Sequence, residues 1–163
     1  MTTVTKSLAE TELDRAWAEL LTIVESVPSA AVTQPGVVEN WSLKDLLGHI
    51  AFWSGRACET LRCATAGRFD AIPIGEGDNW VDEWNEREYN ARKDHPFTEV
   101  RVEWMRNHQN ATRALDDTPE EVLGQELRGQ PLITEFGYDT YEHYRQHAEH
   151  IRDWLRALET TEA

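Results

Sequence analysis

The chain has 163 residues, with 30 acidic against 16 basic side chains and a formal net charge of -14. So acidic a surface repels phosphate backbones and anionic headgroups, which excludes nucleic acid and membranes from the expected partners, and its only lysines are Lys6, Lys44 and Lys93. With 40% hydrophobic residues and seven tryptophans it is no disordered polyelectrolyte, and its length suits one domain, residues 1–163, around one core.

Leu13, Trp17, Leu20, Val24 and Val27 recur at alternating spacings of four and three, which predicts an amphipathic helix from Ser7 to Val27. Ser7 and Glu10 resemble a capping box at its start, and Pro28 stops it. The residues ahead of it lack the apolar middle and cleavage site of a signal peptide, and no apolar run approaches the roughly 18 residues of a membrane span. After a loop marked by Pro35-Gly36, Ser42 caps a second helix that runs to Ala66, with Asp45 in its positive first turn. Its stripe takes in Leu43, Leu46, Leu47, Ile50, Trp53, Ala57 and Leu61. Cys58 and Cys63 point about 140° apart on this helix, so no disulfide is expected and a reducing, cytoplasmic setting fits.

Residues Gly67 to His95 read as an extended loop followed by a short helix with Trp80, Trp84 and Ala91 on one face. A third long helix runs from Pro96 or Thr98 to Asp116, its stripe formed by Val100, Trp104, His108, Ala111 and Leu115. Thr118-Pro119-Glu120-Glu121 predicts a brief extra helix. Three glycines and a proline between Gly124 and Asp139 predict a loop, with Leu132-Ile133-Thr134 extended. Asp139 then caps a last helix that continues to Leu158 through Tyr144, Ile151, Trp154 and Leu155. The fold class is therefore all-α, a four-helix bundle. Its roughly 30-residue connection between the second and third long helices can run back along a bundle some 30 to 37 Å high, a crossover that makes those helices parallel; shorter returns stay open.

Six histidines are present. In the last helix His143, His147 and His150 fall within about 60° on the face that carries Trp154. Imidazoles at i and i+4 have Cβ atoms about 6 Å apart and can share one ion through bonds of about 2 Å. His49, beside Leu46, Ile50 and Trp53 at the edge of the second helix's stripe, is the candidate third ligand. Three neutral imidazoles leave a position open on a divalent ion, which can then activate water or a thiol or polarise a carbonyl. The plainer reading is that a core-facing histidine such as His108 is a hydrogen-bonded packing residue, and HxxxH arises by chance in helical proteins. Trp17, Trp53, Trp104 and Trp154 read as core, whereas Trp80 and Trp84 can wall a substrate pocket together with Trp53. There is no phosphate-binding glycine loop, no GxSxG and no CxxC.

The segments NWSLKDLLGHIAFW, WVDEWNEREYNARKDHPFTEVRVEW and DTYEHYRQHAEHIRDWL, in that order, resemble the DinB-like superfamily of four-helix bundles, and within it the branch of DfsB and the colibactin self-protection protein. The likeness runs from Leu13 to Leu158. It implies an up-down-down-up bundle and a divalent ion, Zn, Ni, Fe or Mn, on His49, His143 and His147, with His150 as a supporting partner of these ligands or an alternative ligand. In that topology the helices of His49 and His147 run antiparallel, so their contact requires a stagger. Relatives include isomerases and S-transferases that use a low-molecular-weight thiol. The implied function is a metal-dependent enzyme acting on an electrophilic small molecule, as a thiol S-transferase, isomerase or hydrolase in stress or detoxification. The alternative is a metal-free binding or self-protection protein, and a homodimer is left open.

Overall fold

The computed structural model describes residues 4–162. In chain order these form α1 (Lys6–Glu25), α2 (Leu43–Thr65), α3 (Trp80–Arg92), α4 (Phe97–Asp117), α5 (Glu120–Leu123), the two-residue strands β1 (Glu126–Leu127) and β2 (Gln130–Pro131), α6 (Leu132–Asp139) and α7 (Tyr141–Glu162). The long helices α1, α2, α4 and α7 make the predicted all-α bundle, and the strands pair only with each other as an antiparallel hairpin.

Cross-helix pairs give the directions. Glu12 meets Arg145 and Glu19 meets Arg152, so residue numbers rise together and α1 is parallel to α7. The Ala51 carbonyl accepts from Asn107 at 2.8 Å and Thr65 bonds Thr118 at 3.3 Å, so α2 is parallel to α4, as the crossover predicts. Glu25 pairs with Arg101, whereas Lys6 reaches the Asp116 carbonyl, which sets α1 against α4. His49 meets His143, and Arg56 meets Asp139 just ahead of α7, so α2 and α7 are opposed. The result is the up-down-down-up order. The stagger that the resemblance demands is present: α2 meets α7 through His49 and Ser54 against His143 and Tyr144, further along it meets Asp139 of α6 through Arg56, and α7 packs along α1.

Ser42 caps α2, as the sequence predicts, its hydroxyl accepting from the Asp45 amide at 3.2 Å, and Asp45 does more than favour the helix end: its carboxylate accepts from the Ser42 amide at 2.9 Å. For α1 the cap is Thr5, whose hydroxyl accepts from the Leu8 amide, rather than Ser7.

The expected loop from Gly124 to Asp139 is largely overturned, because α6 occupies residues 132–139 with Leu132, Ile133 and Phe136 buried against the bundle. Burial outweighs the local signal of Gly137, which is tolerated in a helix because a Cβ there would collide with the Tyr141 ring. Nor does Asp139 cap the last helix. It ends α6 as the buried partner of Arg56, and Thr140 makes the break, its hydroxyl donating to the Phe136 carbonyl at 2.6 Å. None of the described helices is long and apolar enough to cross a membrane.

Candidate metal centre

His49 lies two turns into α2, and His143 and His147 lie on the first two turns of α7, so the staggered overlap brings all three to one point. His143 Nε2 stands 2.8 Å from His49 Nε2 and 2.8 Å from His147 Nε2. The three rings meet edge-on, with interplanar angles of 70°, 90° and 67°. His150, on the next turn, places Nδ1 3.0 Å from His147 Nδ1. When His147 Nδ1 donates to His150 Nδ1, the lone pair of His147 falls on Nε2, facing the cluster, which is how an outer partner orients a ligand imidazole.

Burial holds these rings neutral. It pushes His49 down to about 4, against a hydrogen bond to Asn85 that pulls the other way. His143 falls to about 3, through burial first and then the proximity of His49 and His150. His147 is shifted in the same direction for the same reasons, with His143 as its foremost charged neighbour. Three neutral imidazoles at pH 7 are competent ligands.

Hydrogen bonding alone satisfies the cluster poorly. A neutral imidazole nitrogen carries one proton or one lone pair, directed in the ring plane, so His143 Nε2 can serve only one of its two neighbours well. His143 Nδ1 is buried and has no partner either. A divalent cation among three lone pairs relieves this crowding. Tetrahedral ligands at 2.0–2.1 Å stand about 3.3 Å apart, so the two pairs at 2.8 Å need only a small outward adjustment, and all three ligand atoms lie within 4.8 Å of one another. Among the described residues this trio is the group of histidine, cysteine or acidic side chains placed to hold an ion.

Two clefts open onto the cluster. One, of about 550 Å³, is walled by Trp53, Trp80, Tyr138 and Arg56. The other, of about 430 Å³, is walled by Trp41, Tyr89, Asp82 and His150. His49, His147, Asn85 and Gln146 border both. Of the three tryptophans expected at a pocket, Trp53 and Trp80 line the larger cleft. Trp84 packs behind them, its ring 4.9 Å from Trp80 and 6.1 Å from Trp53, and is not on the wall. Asn85 is fixed by Trp53, whose Nε1 donates to Asn85 Oδ1 at 3.0 Å.

His108 is not part of the cluster. It stacks on Trp17 at 3.8 Å and lies 3.2 Å from the Tyr144 hydroxyl, the packing role expected of it. Both cysteines are free and buried, and burial raises both thiols. The sequence reading missed Asn85, Gln146, Arg56 and Arg128. Arg56 carried a signal, because seven residues after His49 is the same face of α2. Arg128 and Asn85 carried none, since the crossover and the hairpin bring them in.

The fold and the trio define an all-α bundle with a three-histidine centre where two antiparallel helices overlap. The profile of the DinB superfamily matches residues 12–151, and the chain belongs to that superfamily. No curated protein matches the chain in sequence. Among solved structures, the colibactin self-resistance protein ClbS, in complex with a dsDNA, superposes with a TM-score of 0.81 at 12% identity, over 94% of this chain and 96% of that one. DfsB, a sibling lethal factor precursor, gives 0.78 at 14% identity over 96% and 98%. The mycothiol-dependent maleylpyruvate isomerase gives 0.74 at 16% identity; it is matched over 93% of this chain but 63% of its own length.

Proposed function

We propose that this protein is a metal-dependent enzyme that acts on an electrophilic small molecule, with the ion held by His49, His143 and His147. The observation that carries this reading is the convergence of three Nε2 atoms, in which His143 Nε2 faces two imidazole nitrogens at 2.8 Å and can pair well with only one. A divalent ion there would supply Lewis acidity, polarising a carbonyl or making a water or thiol more acidic. The chain's own part is to keep three imidazoles neutral through burial, to orient His147 through His150, and to border the centre with Asn85 and Gln146. Trp53 and Trp80 offer flat apolar walls to a substrate.

A thiol cosubstrate fits the two clefts, because one reactant can enter from each side of the centre. The mycothiol dependence of one structural neighbour supports that choice of nucleophile. The net charge of -14 supports a small molecule rather than nucleic acid as the partner, although ClbS was solved with a dsDNA. Two buried free thiols accord with a cytoplasmic setting.

Metal analysis of tag-free protein tests the reading. About one equivalent of divalent ion, or its uptake on reconstitution, is the expected result; less than about a tenth of an equivalent with no uptake overturns it.

A further inference from the structure

The structural contacts of Arg56 and Arg128 leave part of each guanidinium unused. The Arg56 side chain is 2% exposed. Its Nη1 is held by Asp139 and its Nε donates to the Pro73 carbonyl at 3.3 Å, but its Nη2 is buried with no partner. A buried guanidinium nitrogen left unbonded is costly and calls for a partner. Arg128 occupies the first position of the hairpin turn at φ 54, followed by Gly129 at φ 81. That left-handed pair favours Asn-Gly, and a long β-substituted side chain is strained there. Arg128 forms no ion pair among the described residues; its guanidinium carbon sits 4.8 Å from the centre of the Trp80 ring. The guanidinium carbon of Arg56 lies 5.7 Å from the centre of the same ring. Trp80 is seated on Gly75, where a Cβ would collide with the indole, so its ring roofs the pair.

Both arginines line the larger cleft, whose wall also holds His143. Asp139 is committed to Arg56, which leaves Glu135 as the uncommitted acid on that wall.

We infer that this end of the cleft is a subsite for the carboxylate of a small aromatic or apolar acid, held by Arg128 against the Arg56 guanidinium, whose Nη2 has no partner within the protein. The substrate body then lies along Trp53 and Trp80 toward the histidines. A carboxylate matches the planar guanidinium fork, which a neutral amide cannot do with the same charge. Glu135 stands ready to accept from an amine or hydroxyl beside that carboxylate. The subsite rests on the reading above for its catalytic use, but the grip on the acid needs no ion.

Calorimetric titration with phenylacetate and with its neutral counterpart phenylacetamide, in EDTA, separates the two ideas, because a carboxylate cannot then bind through the metal. The expected result is phenylacetate binding at least about tenfold tighter than the amide, with that preference lost in Arg128→Asn. The same substitution relieves the positive φ and is expected to keep or raise the melting temperature, which a merely structural arginine would not allow. Arg56→Lys, which keeps the charge but loses the fork, is expected to weaken phenylacetate alone. Equal affinity for acid and amide, no binding of either, or an unchanged preference in Arg128→Asn overturns the subsite. Failure of the metal analysis leaves this titration unaffected.

Discussion

Two buried histidine environments sit close together in this bundle. His108 and His49 are both pushed down to about 4, mainly by burial. Yet His108 has an indole to stack on and a Tyr144 hydroxyl to bond, and that hydroxyl also lies 3.0 Å from Ser54 Oγ. His49 has chiefly other imidazoles in front of its Nε2. Desolvation alone therefore does not distinguish a packing histidine from a ligand. The chemistry of the facing partner does: a hydroxyl donates or accepts as needed, whereas imidazole nitrogens crowded on one point cannot all pair with one another.

Acid should break both environments alike. The histidines titrate near 6.5 when unfolded and well below that when folded. As pH falls below 6.5 the unfolded chain binds protons that the native state refuses, so stability is full above 6.5 and is lost on the way to 4. Asp139, raised to about 6 by burial, works in the opposite direction and offsets one of the four imidazoles. Metal-free protein should lose about 1.4 kcal/mol per pH unit for each of the remaining three, measured by urea unfolding between pH 6 and 4.5.

Single substitutions then separate the two environments. His143→Ala, which removes the shared nitrogen, should lower metal affinity at least about a hundredfold in a competitive chelator titration, while costing the metal-free fold less than the equivalent change at His108. His108→Ala should lower stability by about 2–3 kcal/mol in denaturant melts, through lost packing on Trp17 and one lost hydrogen bond at the Tyr144 hydroxyl, which keeps Ser54, and leave metal content at the wild-type value. The smallest effect belongs to His150→Ala, about tenfold in metal affinity with little change in melting temperature, because it removes only the partner that orients His147. If His108→Ala emptied the site as effectively as His143→Ala, the distinction between the two environments would collapse.

Periodicity and caps were enough to place the four long helices, because an amphipathic stripe is a local record of which face meets the core. They also put His143, His147 and His49 on inward faces, and the crossover length allowed α2 and α4 to run parallel. The segment from Gly124 to Asp139 was not legible. Its glycines and proline are loop signals, and only contact with the bundle makes α6 helical and turns Asp139 from a cap into the partner of Arg56.

The chain order of polar and apolar residues thus determined helices, their inward faces and three ligand-type side chains, since each depends on neighbours a few positions away. Whether those side chains meet depends on the stagger of α2 against α7, and the clefts depend on where the crossover and hairpin lay Asn85, Trp80 and Arg128. Those are relations between residues tens of positions apart, which packing decides and no local pattern encodes.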